Sequence, residues 1–124
     1  LLLGMAYKPN VNDLRESPSL YVYELLREKG ALVKVNDPYC DILFDASGQQ
    51  IVIENNINYS ELNRFDLVVL LTAHTDYNLS KIVESGVQIL DTRNAFTGLN
   101  ATNVIRIGDV LADVGTEPNK ILVR

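Results

Sequence analysis

The sequence predicts an open α/β sheet, mostly parallel, with helices on both faces and all in one domain. Two observations carry this reading. Short apolar runs rich in branched residues recur at residues 1–6, 32–35, 67–71, 87–90 and 104–107, each bounded by Gly, Asp, Asn or Pro; buried strands of a parallel sheet have this composition. Segments of helical pattern lie between them, and strand–helix–strand repeats imply right-handed crossovers. The 124 residues suit a single domain at 47% apolar and 22% charged, enough to bury roughly two thirds of the unfolded surface.

The first run, Leu1-Leu2-Leu3-Gly4-Met5-Ala6, has no basic stretch before it and leads into Tyr7-Lys8-Pro9. It reads as a buried strand and not as a signal peptide. The sequence does not begin with Met and reads as a piece of a longer polypeptide. The clearest helix is expected over residues 18–29, with Ser17 as N-cap, Pro18 at the first helical position and Gly30 as the stop. Pro18, Tyr21, Val22, Leu25 and Leu26 form its apolar stripe, and Arg27, Glu28 and Lys29 are left to solvent.

Weaker helices are expected over residues 60–64 and 79–85, the second ended by Gly86. Residues 41–59 break the rhythm and read equally well as a hairpin-like insertion or an irregular loop. Residues 112–124, with Gly115 and Pro118, are expected to be a loosely held tail, which leaves residues 1–111 as the domain.

Charge and composition exclude several function classes. With 16 acidic and 11 basic side chains, a net charge of −5 gives little attraction to nucleic acid or an anionic membrane. The apolar runs are too short to span a bilayer. Cys40 is the sole cysteine and His74 the sole histidine, so neither a disulfide framework nor a metal site is expected. Cys40 has no neighbouring cation to lower its pKa, and His74 reads as structural or loop-exposed.

Ligands of open α/β sheets bind beyond the carboxyl ends of the strands. In that zone the sequence places three cations, Lys8, Arg15 and Arg93, with Tyr7 beside Lys8 and a helix N-terminus at Ser17-Pro18. Guanidinium forks, an ammonium and a helix start could together hold a pyrophosphate. The alternative is local ion pairing: Arg15 has Asp13 and Glu16 at hand, and Arg93 has Asp91. Asp37 holds the position of a ribose-binding acid, but no glycine-rich dinucleotide turn precedes it. It is expected to shape the Asp37-Pro38 turn.

Gly4-Met5-Ala6-Tyr7-Lys8-Pro9-Asn10-Val11-Asn12-Asp13-Leu14-Arg15-Glu16-Ser17-Pro18 resembles the signature that opens the C-terminal, UDP-binding domain of the UDP-glucose/GDP-mannose dehydrogenase family. Further blocks follow in the family's order: Gly30-Ala31 through Asp37-Pro38-Tyr39, Phe65-Asp66 through Thr72 with His74, and Leu90-Asp91-Thr92-Arg93-Asn94. The resemblance implies a Rossmann-like fold and a role in oxidising C6 of a nucleotide sugar from alcohol to acid with NAD. It implies that the coenzyme is bound mainly by an N-terminal Rossmann domain and that a central helical region supplies the catalytic groups and the dimer interface. This chain would then be inactive alone and would hold no catalytic residue.

On the same grounds Tyr7, Lys8 and Arg93 fall on substrate-binding positions, and Arg15 on a position that reaches NAD. The family often has Thr-Asp-His where this chain has Thr72-Ala73-His74, so a role tied to that Asp is missing. The loops look closer to members acting on UDP-N-acetylhexosamines. A cytoplasmic homodimer or larger assembly serving surface polysaccharide synthesis is implied for the whole enzyme. The alternative is a stand-alone regulatory nucleotide-binding module without catalysis.

Overall fold

A computed structural model of the chain describes residues 1–6, 9–10 and 17–107. Seven strands form one sheet in the order β3-β4-β2-β1-β5-β6-β7: β1 Leu2–Leu3, β2 Val35–Asn36, β3 Ile42–Phe44, β4 Gln50–Glu54, β5 Val68–Leu70, β6 Ile89–Asp91 and β7 Val104–Arg106. All neighbours pair in parallel except β3 and β4. β1 is central, with Leu2 opposite Val35 on one side and Val69 on the other.

Alternation along the strands divides the core in two. Leu2, Val35, Val69 and Leu71 face one cluster with Met5, Tyr23, Leu43 and Ile51. Leu3, Val68, Leu70 and Ile89 face another with Leu62, Ile82, Val87 and Phe96. Helix α1, Pro18–Glu28, covers the first face. Helix α2, Leu79–Glu84, and a 3-10 helix, Tyr59–Arg64, cover the second. Helices on both faces are therefore as the sequence predicts.

Helix α1 starts where its sequence indicates. Ser17 caps it, accepting from the Ser19 amide at 3.3 Å, while the Ser17 hydroxyl donates to the Met5 carbonyl at 2.6 Å. The predicted apolar stripe is buried only in part: its Val22 and Leu26 pack inward, while Pro18, Tyr21 and Leu25 do not. Ser19 and Tyr23 are buried, with Leu20, Val22 and Leu26 packed beside them, whereas Tyr21 is 69% exposed and Leu25 also faces outward. Two apolar stripes overlap on this helix, and the one centred on Tyr23, Leu20, Val22 and Leu26 packs against the sheet. Arg27 stays on the surface but donates to the Tyr23 hydroxyl at 3.1 Å.

The second strand also begins later than predicted. Leu32 is 99% exposed, because the chain is still leaving α1: Gly30 donates to the Arg27 carbonyl and Ala31 to that of Leu26 in a helix-ending turn. Residues 41–59 resolve into an antiparallel hairpin, β3–β4, whose second strand joins β2 in parallel, followed by the 3-10 helix. The hairpin turn is closed by Asp45, which accepts from the Ser47 and Gln49 amides at 3.0 and 2.9 Å. The predicted tail, residues 112–124, lies outside the described residues.

Candidate functional site at the topological switch point

From β1 the chain crosses over α1 to β2 on one side, then returns to β5 on the other side of β1. The crevice past the ends of β1 and β5 is therefore the switch point, where doubly wound sheets bind ligands. The segments leading into it are rich in buried polar groups: Asn36, Asp37, Thr72, His74 and Asp91 are all buried.

Asp37, directly after β2, is the hub. Its Oδ2 accepts from the Met5 amide at 2.7 Å and the Ala6 amide at 3.1 Å, and lies 3.0 Å from His74 Nε2. Its Oδ1 accepts from the Tyr39 amide at 2.8 Å. Burial would raise the Asp37 pKa, but the hydrogen bonds from His74, Met5 and Tyr39 outweigh it and hold the carboxyl below its ordinary value. The expected role in the Asp37-Pro38 turn is thus only half of what this residue does. Its other oxygen fixes the chain leaving β1.

His74 is neither surface-exposed nor idle. At 2% exposure it lies between the rings of Tyr39 and Tyr77, at 4.9 and 5.7 Å. Its Nδ1 accepts from the Asn10 amide at 2.7 Å. Asn10 sits in the left-handed region at φ 62°, and its side-chain oxygen accepts from the Thr75 amide at 2.8 Å. Thr72 adds a further tie, its hydroxyl donating to the Ala6 carbonyl at 2.6 Å. Gly4, at φ 93°, passes so close to β5 that an added Cβ would lie 2.7 Å from the Thr72 nitrogen, so only glycine fits there.

Arg93 is held in the turn after β6. Asp91 accepts from the Arg93 amide at 2.9 Å through Oδ1 and from the Phe96 amide at 2.9 Å through Oδ2. Both carboxylate oxygens are thus engaged by backbone. The Arg93 guanidinium instead donates through Nε to the Leu71 carbonyl at 2.7 Å, which ties it to the end of β5. Among the described residues no carboxylate pairs with it, so the alternative of an Arg93–Asp91 side-chain ion pair is not what the fold adopts.

Tyr7, Lys8 and Arg15 lie outside the described residues. Of the predicted site residues, the structure therefore places Arg93 alone. Cys40 is buried, and burial, with the nearby Asp37 charge second, pushes its thiol up to about 12. It is a protonated thiol at neutral pH and no nucleophile. Among the described residues there is no cluster of three or more potential metal ligands, and no helix is long and apolar enough to cross a membrane. Sequence reasoning missed the convergence of Asp37, His74 and Asn10. The only signal available was that each follows the end of a strand.

Strand order and the switch-point crevice define a doubly wound α/β domain, a class of fold whose ligands bind past the strand ends. The chain belongs to the UDP-glucose/GDP-mannose dehydrogenase family, whose UDP binding domain matches residues 1–98. It is 31% identical over 104 residues to UDP-glucose 6-dehydrogenase from Bacillus subtilis, covering 77% of this chain and 22% of that protein. It is 30% identical to UDP-N-acetyl-D-mannosamine dehydrogenase from Methanocaldococcus jannaschii, covering 75% and 22%. The structure of a UDP-D-ManNAc dehydrogenase from Pyrococcus horikoshii superposes with a TM-score of 0.62 at 25% identity, covering 87% of this chain and 25% of that one. The chain thus spans a quarter or less of the length of these relatives.

Proposed function

We propose that this chain is the nucleotide-sugar-binding part of an NAD-dependent nucleotide-sugar 6-dehydrogenase that oxidises a C6 alcohol to a carboxylate. The observation that carries this reading is the Arg93 arrangement. A guanidinium is fixed at the switch point by the Leu71 carbonyl, and Asp91, two residues before it, is already engaged by backbone amides. Among the described residues no carboxylate pairs with the guanidinium, which leaves it able to meet phosphate oxygens. Lys8 shares the substrate role, with Tyr7 beside it, and Arg15 reaches toward the coenzyme.

NAD accepts the hydride in such a reaction. The residues here fit only an accessory part in binding it: β1 runs into Gly4-Met5-Ala6, tied to Asp37 and Thr72, and no glycine-rich dinucleotide turn follows. An N-terminal Rossmann domain and a central helical region of the same polypeptide supply that binding and the catalytic groups. Residues 1–111 are the domain and 112–124 its tail. The preferred substrate is a UDP-N-acetylhexosamine, and the whole enzyme is a cytoplasmic homodimer or larger assembly that serves surface polysaccharide synthesis.

The test follows NAD reduction by the full-length protein with a panel of UDP- and GDP-sugars. Turnover with a UDP-N-acetylhexosamine is expected. For Arg93→Ala or Lys8→Ala a loss of at least about tenfold in kcat/KM is expected, the size of one charge-assisted phosphate contact. A folded protein that turns over no nucleotide sugar would sink the proposal.

A further inference from the structure

Arg93 is an exposed cation on a closely fastened turn. Its Nε donates to the Leu71 carbonyl at 2.7 Å, and one residue earlier the Thr92 hydroxyl donates to the Leu70 carbonyl at 2.6 Å. Two successive carbonyls at the end of β5 thus hold the start of the turn. Arg106 of β7 holds its far end, donating through Nη2 to the Phe96 carbonyl at 3.1 Å, and the Phe96 side chain is fully buried. Between them Asn94 takes a left-handed conformation at φ 58°, which is uncommon outside glycine.

Asp91 closes this turn from inside. It is 1% exposed, and each carboxylate oxygen accepts one backbone amide, Oδ1 that of Arg93 and Oδ2 that of Phe96. Asparagine in its place has a single acceptor, so one of the two amides would face an N–H. The acid is therefore not interchangeable with its neutral isostere, although burying a carboxylate is costly. The cation is constrained as well. With Nε committed to Leu71, the guanidinium offers an incoming ligand Nη1 and Nη2, and neither has a partner among the described residues. Together these two nitrogens form an end-on fork that spans two oxygens of a phosphate.

We propose that Asp91 is a positioning residue for nucleotide binding: by closing the turn with both oxygens it holds Arg93 where Nε reaches the Leu71 carbonyl, so that the guanidinium meets a phosphate end-on through Nη1 and Nη2. This rests on the reading that Arg93 binds the substrate phosphates. Asp91 itself touches no ligand. A guanidinium fixed in this way has little side-chain freedom left to lose on binding, and affinity gains accordingly.

Affinity for UDP is measured by calorimetry on the full-length protein, with thermal unfolding alongside. Arg93→Ala is expected to raise the UDP Kd at least about tenfold. Asp91→Asn is expected to raise it about five- to tenfold on its own, yet by less than about twofold in an Arg93→Ala background, while lowering the unfolding temperature equally in both. Arg93→Lys keeps the charge without the fork or Nε and is expected to weaken binding at least about fivefold. Asp45→Ala is the control. It opens a carboxylate-closed turn on the hairpin, so the unfolding temperature should fall while UDP affinity stays within about twofold.

A folded Asp91→Asn protein with wild-type affinity, or one that weakens UDP binding equally with and without Arg93, would overturn the positioning role and leave the nucleotide reading standing. If Asp91→Asn does not fold, Arg93→Lys decides: wild-type affinity there overturns the end-on fork, and a loss supports it. Wild-type affinity in Arg93→Ala, or no binding of UDP by the wild-type protein, would overturn both readings.

Discussion

The crevice past β1, β5 and β6 and the β3–β4 hairpin both depart from a plain strand–helix repeat, yet they are built from opposite materials. The crevice buries Asp37, His74, Thr72 and Asp91; the first three have partners on other segments, and Asp91 is held by the amides of its own turn. The hairpin buries Leu43 and Ile51 and leaves Ile42, Phe44 and Val52 exposed. Its turn is closed by its own Asp45, with one tie from the Ala46 amide to Glu24 of α1. Buried charge is costly unless fully partnered, so its concentration at one end of the sheet marks where backbone geometry matters. The hairpin extends the sheet and completes one core cluster with far less long-range polar bonding.

This contrast can be broken most severely at Asp37. Asp37→Ala removes the acceptor of three backbone amides and of His74, and urea unfolding is expected to show a loss of about 4 kcal/mol, the scale of a broken buried pair. The acid limb should change with it. Because the folded pKa of Asp37 lies below its unfolded value of 3.8, its contribution is complete above that value. It is lost as pH falls through the lower folded pKa. Wild type minus Asp37→Ala stability, followed below about pH 5, should therefore shrink as pH falls; a constant difference would refute this account.

Gly4→Ala comes next, at about 3 kcal/mol from a strained positive φ together with the clash on Thr72, again read by urea unfolding. Asp45→Ala at the hairpin turn should cost about 1 kcal/mol, the net worth of a local hydrogen-bonded turn. Val52→Thr, on the exposed hairpin face at 79% exposure, should stay within about 0.5 kcal/mol. A hairpin substitution that matched Asp37→Ala would erase the distinction between the two regions.

The parts of the fold legible in the sequence are those written in local pattern. The strands β1, β5, β6 and β7 announce themselves as branched runs, and Ser17, Pro18 and Gly30 bracket α1 within a residue or two. The hairpin is legible only as one of two equal readings, because Ile42-Leu43-Phe44 and Ile51-Val52-Ile53 are apolar on both faces and show no alternation. The inward face of α1 is legible only in part, for a related reason. Two overlapping stripes share Val22 and Leu26, and helical periodicity does not show that Tyr23, and not Tyr21 or Leu25, completes the buried face.

At the site, Arg93 was legible as a cation past a strand end, and the structure adds what holds it. The partnership of Asp37 with His74 was not, since 37 residues separate them and neither belongs to a motif that names the other. Glycine at position 4 was visible as a letter; its reason, the close passage of β1 against Thr72, belongs to the assembled sheet.

Cys40 has a practical consequence for the protein that carries this domain. Its thiol is buried and pushed up to about 12, so it contributes almost no thiolate at working pH. A thiol-directed reagent would therefore leave Cys40 unmodified while the domain is folded, so that its labelling reports unfolding.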